Sequence, residues 1–154
     1  MIKELLKKHV LENGVLLHRS PRQLTEIKPF FTDDEFAVCA TQHPEIAIYM
    51  AIVRACKPET FSFNVFKRDR NCKATLRLCE EALEYLMNNT VTGYVYLLDA
   101  TPFKQYKPSE YRAYESLYAQ QRFIVTKEHL PFFPTPGQLH YDIHLDHCVA
   151  QALN

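Results

Sequence analysis

Val15-Leu16-Leu17-His18-Arg19-Ser20-Pro21 is the stretch on which the reading of this chain turns. It begins as an apolar run directly after Asn13-Gly14, a pair that stops a helix, and it ends at a Ser-Pro turn. A short apolar run bounded by such signals predicts a strand from Val15 to His18, with Arg19 and Ser20 opening a loop beside its end. A titratable imidazole and a hydroxyl at a strand-to-loop corner suit the wall of a ligand cleft. One histidine carries little alone; what singles out His18 is its company further along the chain.

Working outward, Ile2, Leu5, Leu6 and Val10 recur at helical spacing among Lys and Glu and predict a helix from Ile2 to Asn13. Leu24 to Lys28 reads as a short extended piece, Thr32-Asp33-Asp34-Glu35 as a turn, and Phe36 to Ala40 as a buried strand. Pro44 suits the first turn of a helix whose stripe of Ile46, Ala47, Met50 and Val53 extends to Cys56 and carries Tyr49. Phe61 to Lys67 alternates as a strand, and the charged segment Lys67 to Lys73 reads as a loop. Leu76, Cys79, Leu83, Leu86 and Met87 predict a helix from Ala74 to Asn88. Thr92 to Asp99 is the clearest strand. Thr101-Pro102 and Lys107-Pro108 bracket a hairpin-like excursion, Glu110 to Tyr118 starts as a strand, and Gln121 to Thr126 is a further strand. Lys127 to Leu130 reads as one helical turn, Pro131, Pro134 and Pro136 interrupt regular structure, and Asp142 to Leu153 is expected to close the chain as a helix. Roughly six or seven short strands with two or three helices, and neither repeat nor linker, predict a single α+β domain over 1–154.

Composition narrows the partners. The 154 residues are 47 % hydrophobic and 23 % charged, which argues against disorder, and 18 basic residues balance 18 acidic ones. There is no strong electrostatic signal for nucleic acid or membrane. Five scattered cysteines without a Cys-x-x-Cys pair, an N-terminus interleaved with Lys and Glu, and no apolar run of membrane-spanning length point to a reducing, cytoplasmic setting. Three glycines leave no room for a Gly-rich phosphate loop.

Three constellations invite chemistry. His140, His144, His147 and Cys148 have the spacing of one helix side, but they follow a proline-rich loop and lack a visible supporting shell, so a solvated or packing helix is expected and no metal site is assigned. Cysteine-histidine nucleophile pairs are numerous, yet none stands in a strained or glycine-flanked turn. The third constellation is spread along the chain: Leu16-Leu17-His18-Arg19-Ser20, then Val38-Cys39-Ala40 followed by Ala47-Ile48-Tyr49, then Glu110-Tyr111-Arg112-Ala113-Tyr114-Glu115 with Arg122-Phe123-Ile124-Val125 beyond it.

In that order these blocks resemble the His-Tyr-Glu catalytic domain of poly(ADP-ribose) polymerases and related ADP-ribosyltransferases. That family opens its site with Leu-x-His-Gly-Ser, continues with Tyr-Phe-Ala and Ala-x-Tyr on a helix, and carries its glutamate in Glu-Tyr-x-x-Tyr-Asp. The resemblance implies split antiparallel β-sheets around an NAD cleft with flanking helices. By position it implies that His18 bonds the adenosine ribose, that the Arg19 backbone and the Ser20 hydroxyl hold the nicotinamide carboxamide, and that Tyr49 stacks on the nicotinamide ring with Val38 in the same wall. Glu110 would meet the nicotinamide ribose and stabilise the oxocarbenium-like centre formed as nicotinamide leaves. His18, Tyr49 and Glu110 are thus the implied catalytic residues, and His18, Arg19, Ser20, Val38 and Tyr49 the implied NAD contacts.

Two positions depart from the family. Arg19 stands in place of its glycine, so the side chain must point away from the ligand; Val38 stands in place of a tyrosine, leaving a wall to a neighbour such as Phe36. Glu115 is the alternative carboxylate if the register slips. The expected activity is transfer of a single ADP-ribose unit from NAD to an unidentified acceptor macromolecule, with an NAD glycohydrolase as its variant. A catalytically inactive nucleotide- or partner-binding module, favoured by the changes at Arg19 and Val38, stays open. So does an NAD-dependent RNA 2′-phosphotransferase, in which Arg19, Arg22 and Arg54 would meet the RNA phosphate.

Overall fold

Gly14 ends the first helix, Ile2–Asn13 (α1), by adopting φ 61°, a left-handed cap that residues with a Cβ rarely take. The chain then enters strand Val15–Ser20 (β1). The strand runs two residues past His18 because Arg19 and Ser20 pair with Val95 and Tyr94 of a long antiparallel neighbour. The structure, a computed structural model, describes residues 1–56, 61–68 and 71–145. After β1 come Glu26–Ile27 (β2), Phe30–Thr32 (β3), Glu35–Ala40 (β4), helix Pro44–Val53 (α2), Phe61–Arg68 (β5), Asn71–Leu78 (β6) and helix Glu80–Asn88 (α3). Thr92–Asp99 (β7), Lys104–Lys107 (β8), Glu110–Ala113 (β9), Leu117–Tyr118 (β10), Gln121–Thr126 (β11), a 3₁₀ turn at Lys127–His129 and His140–Leu145 (β12) complete the order. The result is an α+β fold with antiparallel sheets, in the orders β1-β7-β11, β3-β4-β9-β8, β12-β6-β5 and the pair β10-β2. Strands outnumber the expected six or seven because several are ladders of two to four residues, too short to show a period in sequence.

Two expectations are corrected. Of the segment read as loop Lys67 to Lys73, Lys67 and Arg68 still belong to β5, and strand β6 takes in Asn71 to Lys73 together with the expected first turns of a helix from Ala74. The helix begins only at Glu80, where the Cys79 sulfur accepts from the Ala82 N–H. Ala74, Leu76 and Leu78 are buried while Lys73 and Arg77 are exposed, a period of two that the helical stripe concealed. The closing helix expected from Asp142 is, over the described residues, strand β12: Tyr141, Ile143 and Leu145 face inward, and His140, Asp142 and His144 outward. His147 and Cys148 lie outside the described residues. Among those described, no group of three or more His, Cys, Asp and Glu is arranged to hold a metal ion. Likewise no described helix is long and apolar enough to cross a membrane.

In the β1-β7-β11 sheet, β1 and the middle of β7 are buried on both faces, whereas β11 leaves Arg122 and Ile124 exposed. Leu17, Val95 and Leu97 join α1, α2 and the inward side of β6 and β12 in one core; Leu16, Tyr96 and Leu98 join Val38, Tyr111 and Ala113 in a second. Strand alternation therefore sends His18 and Ser20 to the Leu16 side of β1 and Arg19 to the Leu17 side, toward α2. Helix α2 is buried at all ten residues, so it reads as apolar all round rather than amphipathic. It lies against Gly93 of β7, where its backbone approaches too closely for any side chain.

Candidate functional site

The two sheets meet where Leu17 and Thr41 exchange both backbone hydrogen bonds, at 2.8 and 2.9 Å. The ladder stops there. One register step away, side chains take over: the carbonyl oxygen of Cys39 accepts from His18 Nδ1 at 2.7 Å and from Arg19 Nη1 at 3.0 Å. A carbonyl can only accept, so His18 carries its proton on Nδ1 and keeps Nε2 as an acceptor. This parting of the strands, filled by side chains instead of backbone bonds, opens a cleft with two compartments that share Arg19.

The larger compartment, about 450 Å³, lies on the His18 side and includes Ser20, Arg22, Lys28, Phe30 and Arg54 in its lining. Its wall is braced by Tyr96, whose hydroxyl accepts from the Leu24 N–H at 2.6 Å and donates to the Arg22 carbonyl at 3.0 Å. Ser20 Oγ accepts from the Arg22 N–H at 3.0 Å, which turns the chain at Pro21. The Arg54 guanidinium, just past the end of α2, lies 5.8 Å from the Phe30 ring centroid. Four cations, Arg19, Arg22, Lys28 and Arg54, against Glu26 make this compartment electropositive, suited to a phosphorylated ligand.

The smaller compartment, about 50 Å³, lies between Arg19, Cys39, Thr41 and Ser109, with Ile46 and Met50 of α2 as its apolar wall and Glu110 at its edge. Glu110 comes from β9, which pairs with β4 through Val38↔Ala113, Cys39↔Arg112 and Ala40↔Tyr111. That pairing brings a residue ninety positions away opposite the end of β1. Burial, and then the nearby Glu110, push the Cys39 thiol pKa up against the opposing pull of Arg19, so the sulfur stays protonated. Burial likewise pushes the Arg19 pKa down.

His18, Arg19, Ser20 and Glu110 are thus brought to one cleft. The two other residues implied by the resemblance are elsewhere. Tyr49 is fully buried on another face of α2, where its hydroxyl donates to the Arg77 carbonyl at 2.6 Å and its ring meets Phe132 edge-on at 6.0 Å. Val38 is sealed in the second core, and Phe36 is 63 % exposed, so neither walls the cleft; Ile46 and Met50 do. Glu115 is exposed on the bend after β9 and lines neither compartment. Arg19 does not turn away: its guanidinium reaches across to Cys39 and occupies the junction. Arg112 was not legible as part of the site, although its place two residues after Glu110 on one strand face offered a signal.

His18 is buried, and that burial, helped by the charges of Arg19 and Arg54 and opposed by the hydrogen bond to Cys39, lowers its pKa from 6.5 to about 3. The unfolded chain therefore takes up a proton at His18 between pH 6.5 and 3 where the folded chain does not, so acidification through that window favours unfolding. Wild-type stability should fall with a slope steeper than that of His18→Gln, by up to about 1.4 kcal/mol per pH unit. Urea unfolding at several pH values between 4 and 7.5 reads this; parallel slopes would show that His18 charges freely in the fold. No protein-family model matches the chain, and no curated protein or solved structure matches it significantly.

Proposed function

We propose that this chain is an NAD-dependent domain of ADP-ribosyltransferase type, which cleaves the nicotinamide–ribose bond and passes ADP-ribose to an acceptor. The observation that carries this reading is the meeting at Arg19 of His18 and Ser20 from β1, Cys39 and Thr41 at the end of β4, and Glu110 from β9. Apart from Thr41 these residues come from the three blocks that resemble the family, and they meet where two antiparallel sheets part. The electropositive compartment suits the diphosphate half of NAD, and the unprotonated Nε2 of His18 suits acceptance of a ribose hydroxyl. At the other end, the Glu110 carboxylate faces the compartment in which positive charge would develop. Breaking the C1′–N bond sends the electron pair to the departing pyridinium, which leaves as neutral nicotinamide. The carboxylate stabilises the ribosyl cation until an acceptor hydroxyl, amine or water adds and gives up its proton.

A second reading, a nucleotide-binding module without transferase activity, is favoured by one observation: the Arg19 side chain fills the junction that nicotinamide would need. Arg19→Gly separates the two. Under the catalytic reading wild type releases nicotinamide from NAD, and Arg19→Gly, by opening the junction, releases it at least as fast. Under the module reading NAD raises the melting temperature of wild type while nicotinamide release is absent. NAD that neither stabilises nor is cleaved in either protein would reject both.

A further inference from the structure

The largest fully buried side chain in the described structure is not aliphatic but Arg112, 1 % exposed, and three carboxylates converge on it. Its Nε donates to Glu110 Oε2 at 2.7 Å, its Nη1 to Glu35 Oε2 at 2.8 Å and its Nη2 to Asp33 Oδ2 at 2.8 Å. The Tyr106 ring covers the guanidinium face at 3.5 Å, and Tyr114 donates to the same Glu35 oxygen at 3.0 Å. Three anions exceed what one buried cation needs for neutrality, so ion pairing alone does not account for the arrangement. What the planar fork adds is direction: each nitrogen fixes one carboxylate at one angle. Asp33 lies in, and Glu35 directly follows, the two-residue turn of the β3–β4 hairpin, where Asp33 and Asp34 take φ 46° and 74°, so the hairpin tip is itself held in a conformation that side-chain-bearing residues resist.

We propose that Arg112 is a positioning residue: gripping Oε2, it aims Glu110 into the Arg19 compartment, and the β3–β4 hairpin, through Asp33 and Glu35, holds Arg112 at that angle. The inference rests on the reading of Glu110 as the reacting carboxylate. Arg112 touches no part of the space a ligand would enter; it acts through Glu110.

The test is nicotinamide release by Arg112→Gln, Arg112→Lys and Asp33→Asn, each made also in a Glu110→Gln background. Arg112→Gln should lower kcat about 10- to 100-fold with KM within about two-fold, and Arg112→Lys, which keeps the charge but not the fork, should recover part of it. Should loss of the buried arginine prevent folding, Asp33→Asn, altering a residue 57 % exposed, still loosens the fork and should lower kcat about two- to five-fold. In the Glu110→Gln background each of these losses should vanish, because a residue that acts only through Glu110 has nothing left to position. Equal losses in both backgrounds, or a changed KM at constant kcat, would overturn the proposal. If wild type releases no nicotinamide, the catalytic reading fails separately, and the geometry is read by NMR from the Arg112 Nε–H. A resonance that shifts in Glu110→Gln but persists in Asp33→Asn supports the grip, and one indifferent to Glu110→Gln refutes it.

Discussion

Glu110→Gln is expected to reduce nicotinamide release from NAD about 100- to 1000-fold, the loss typical when a preorganised charge-stabilising group is removed from a reacting centre. The substitution is close to isosteric, and the amide oxygen can still accept from Arg112 Nε. Arg112 also retains Glu35 and Asp33, so the loss should appear in kcat without a matching loss of melting temperature. What disappears is the negative charge opposite the developing ribosyl cation. Glu115→Gln is the control: Glu115 is exposed beyond β9 and lines neither compartment, and its change should leave the rate untouched. Chromatographic quantification of free nicotinamide, beside a melting curve for each protein, decides the matter. More than about a tenth of wild-type activity in Glu110→Gln would remove this carboxylate from the chemistry.

Gly93→Ala is expected to destabilise the fold by about 3 kcal/mol, at the upper end of what overpacking of a core produces. A Cβ at this position would stand 2.5 Å from the Ala51 carbonyl oxygen, 2.7 Å from its carbonyl carbon and 2.9 Å from its Cβ. Two of those three atoms are backbone of α2, which is buried at every residue and has no exposed side to move toward. Ala51→Gly removes only the Cβ contact and should not rescue the variant. Chemical denaturation of the single and double variants reads this, with a melting temperature lowered by about 6–12 °C in both. A shift below about 2 °C would mean that α2 can slide along β7. Because α2 also supplies Ile46 and Met50 to the smaller compartment, displacement of the helix should be felt in the cleft as well.

Much of this was legible in the residues, and the reasons are local. Helix α1 and its end at Gly14, the start of β1 at Val15, the turn at Asp33-Asp34, the entry of α2 at Pro44, and strands β7 and β11 follow from spacing, caps and turn chemistry that each segment carries within itself. Strand β6 was lost because Leu76, Leu83 and Leu86 also fit a helical stripe continuing into the true helix α3, and short apolar runs satisfy both periods. Strand β12 shows its period of two plainly in Tyr141, Ile143 and Leu145, yet His140 and His144, four apart, also fit one side of a helix.

Local sequence signals specify which segments become helix or strand where those signals are strongest, and the motif spacing marks His18, Arg19, Ser20 and Glu110 as candidates. Which of them share a cleft depends on how the strands pack in three dimensions. Two side chains on one helix can have different neighbours: Tyr49 and Met50 are adjacent in sequence and share one core, but one is sealed against Phe132 and the other lines the Arg19 compartment. The grip of Arg112 on Asp33, Glu35 and Glu110 depends on β3, β4 and β9 lying side by side. Antiparallel pairing joins residues nearly eighty positions apart, and no local periodicity encodes that partnership, because register is set by strands meeting in three dimensions.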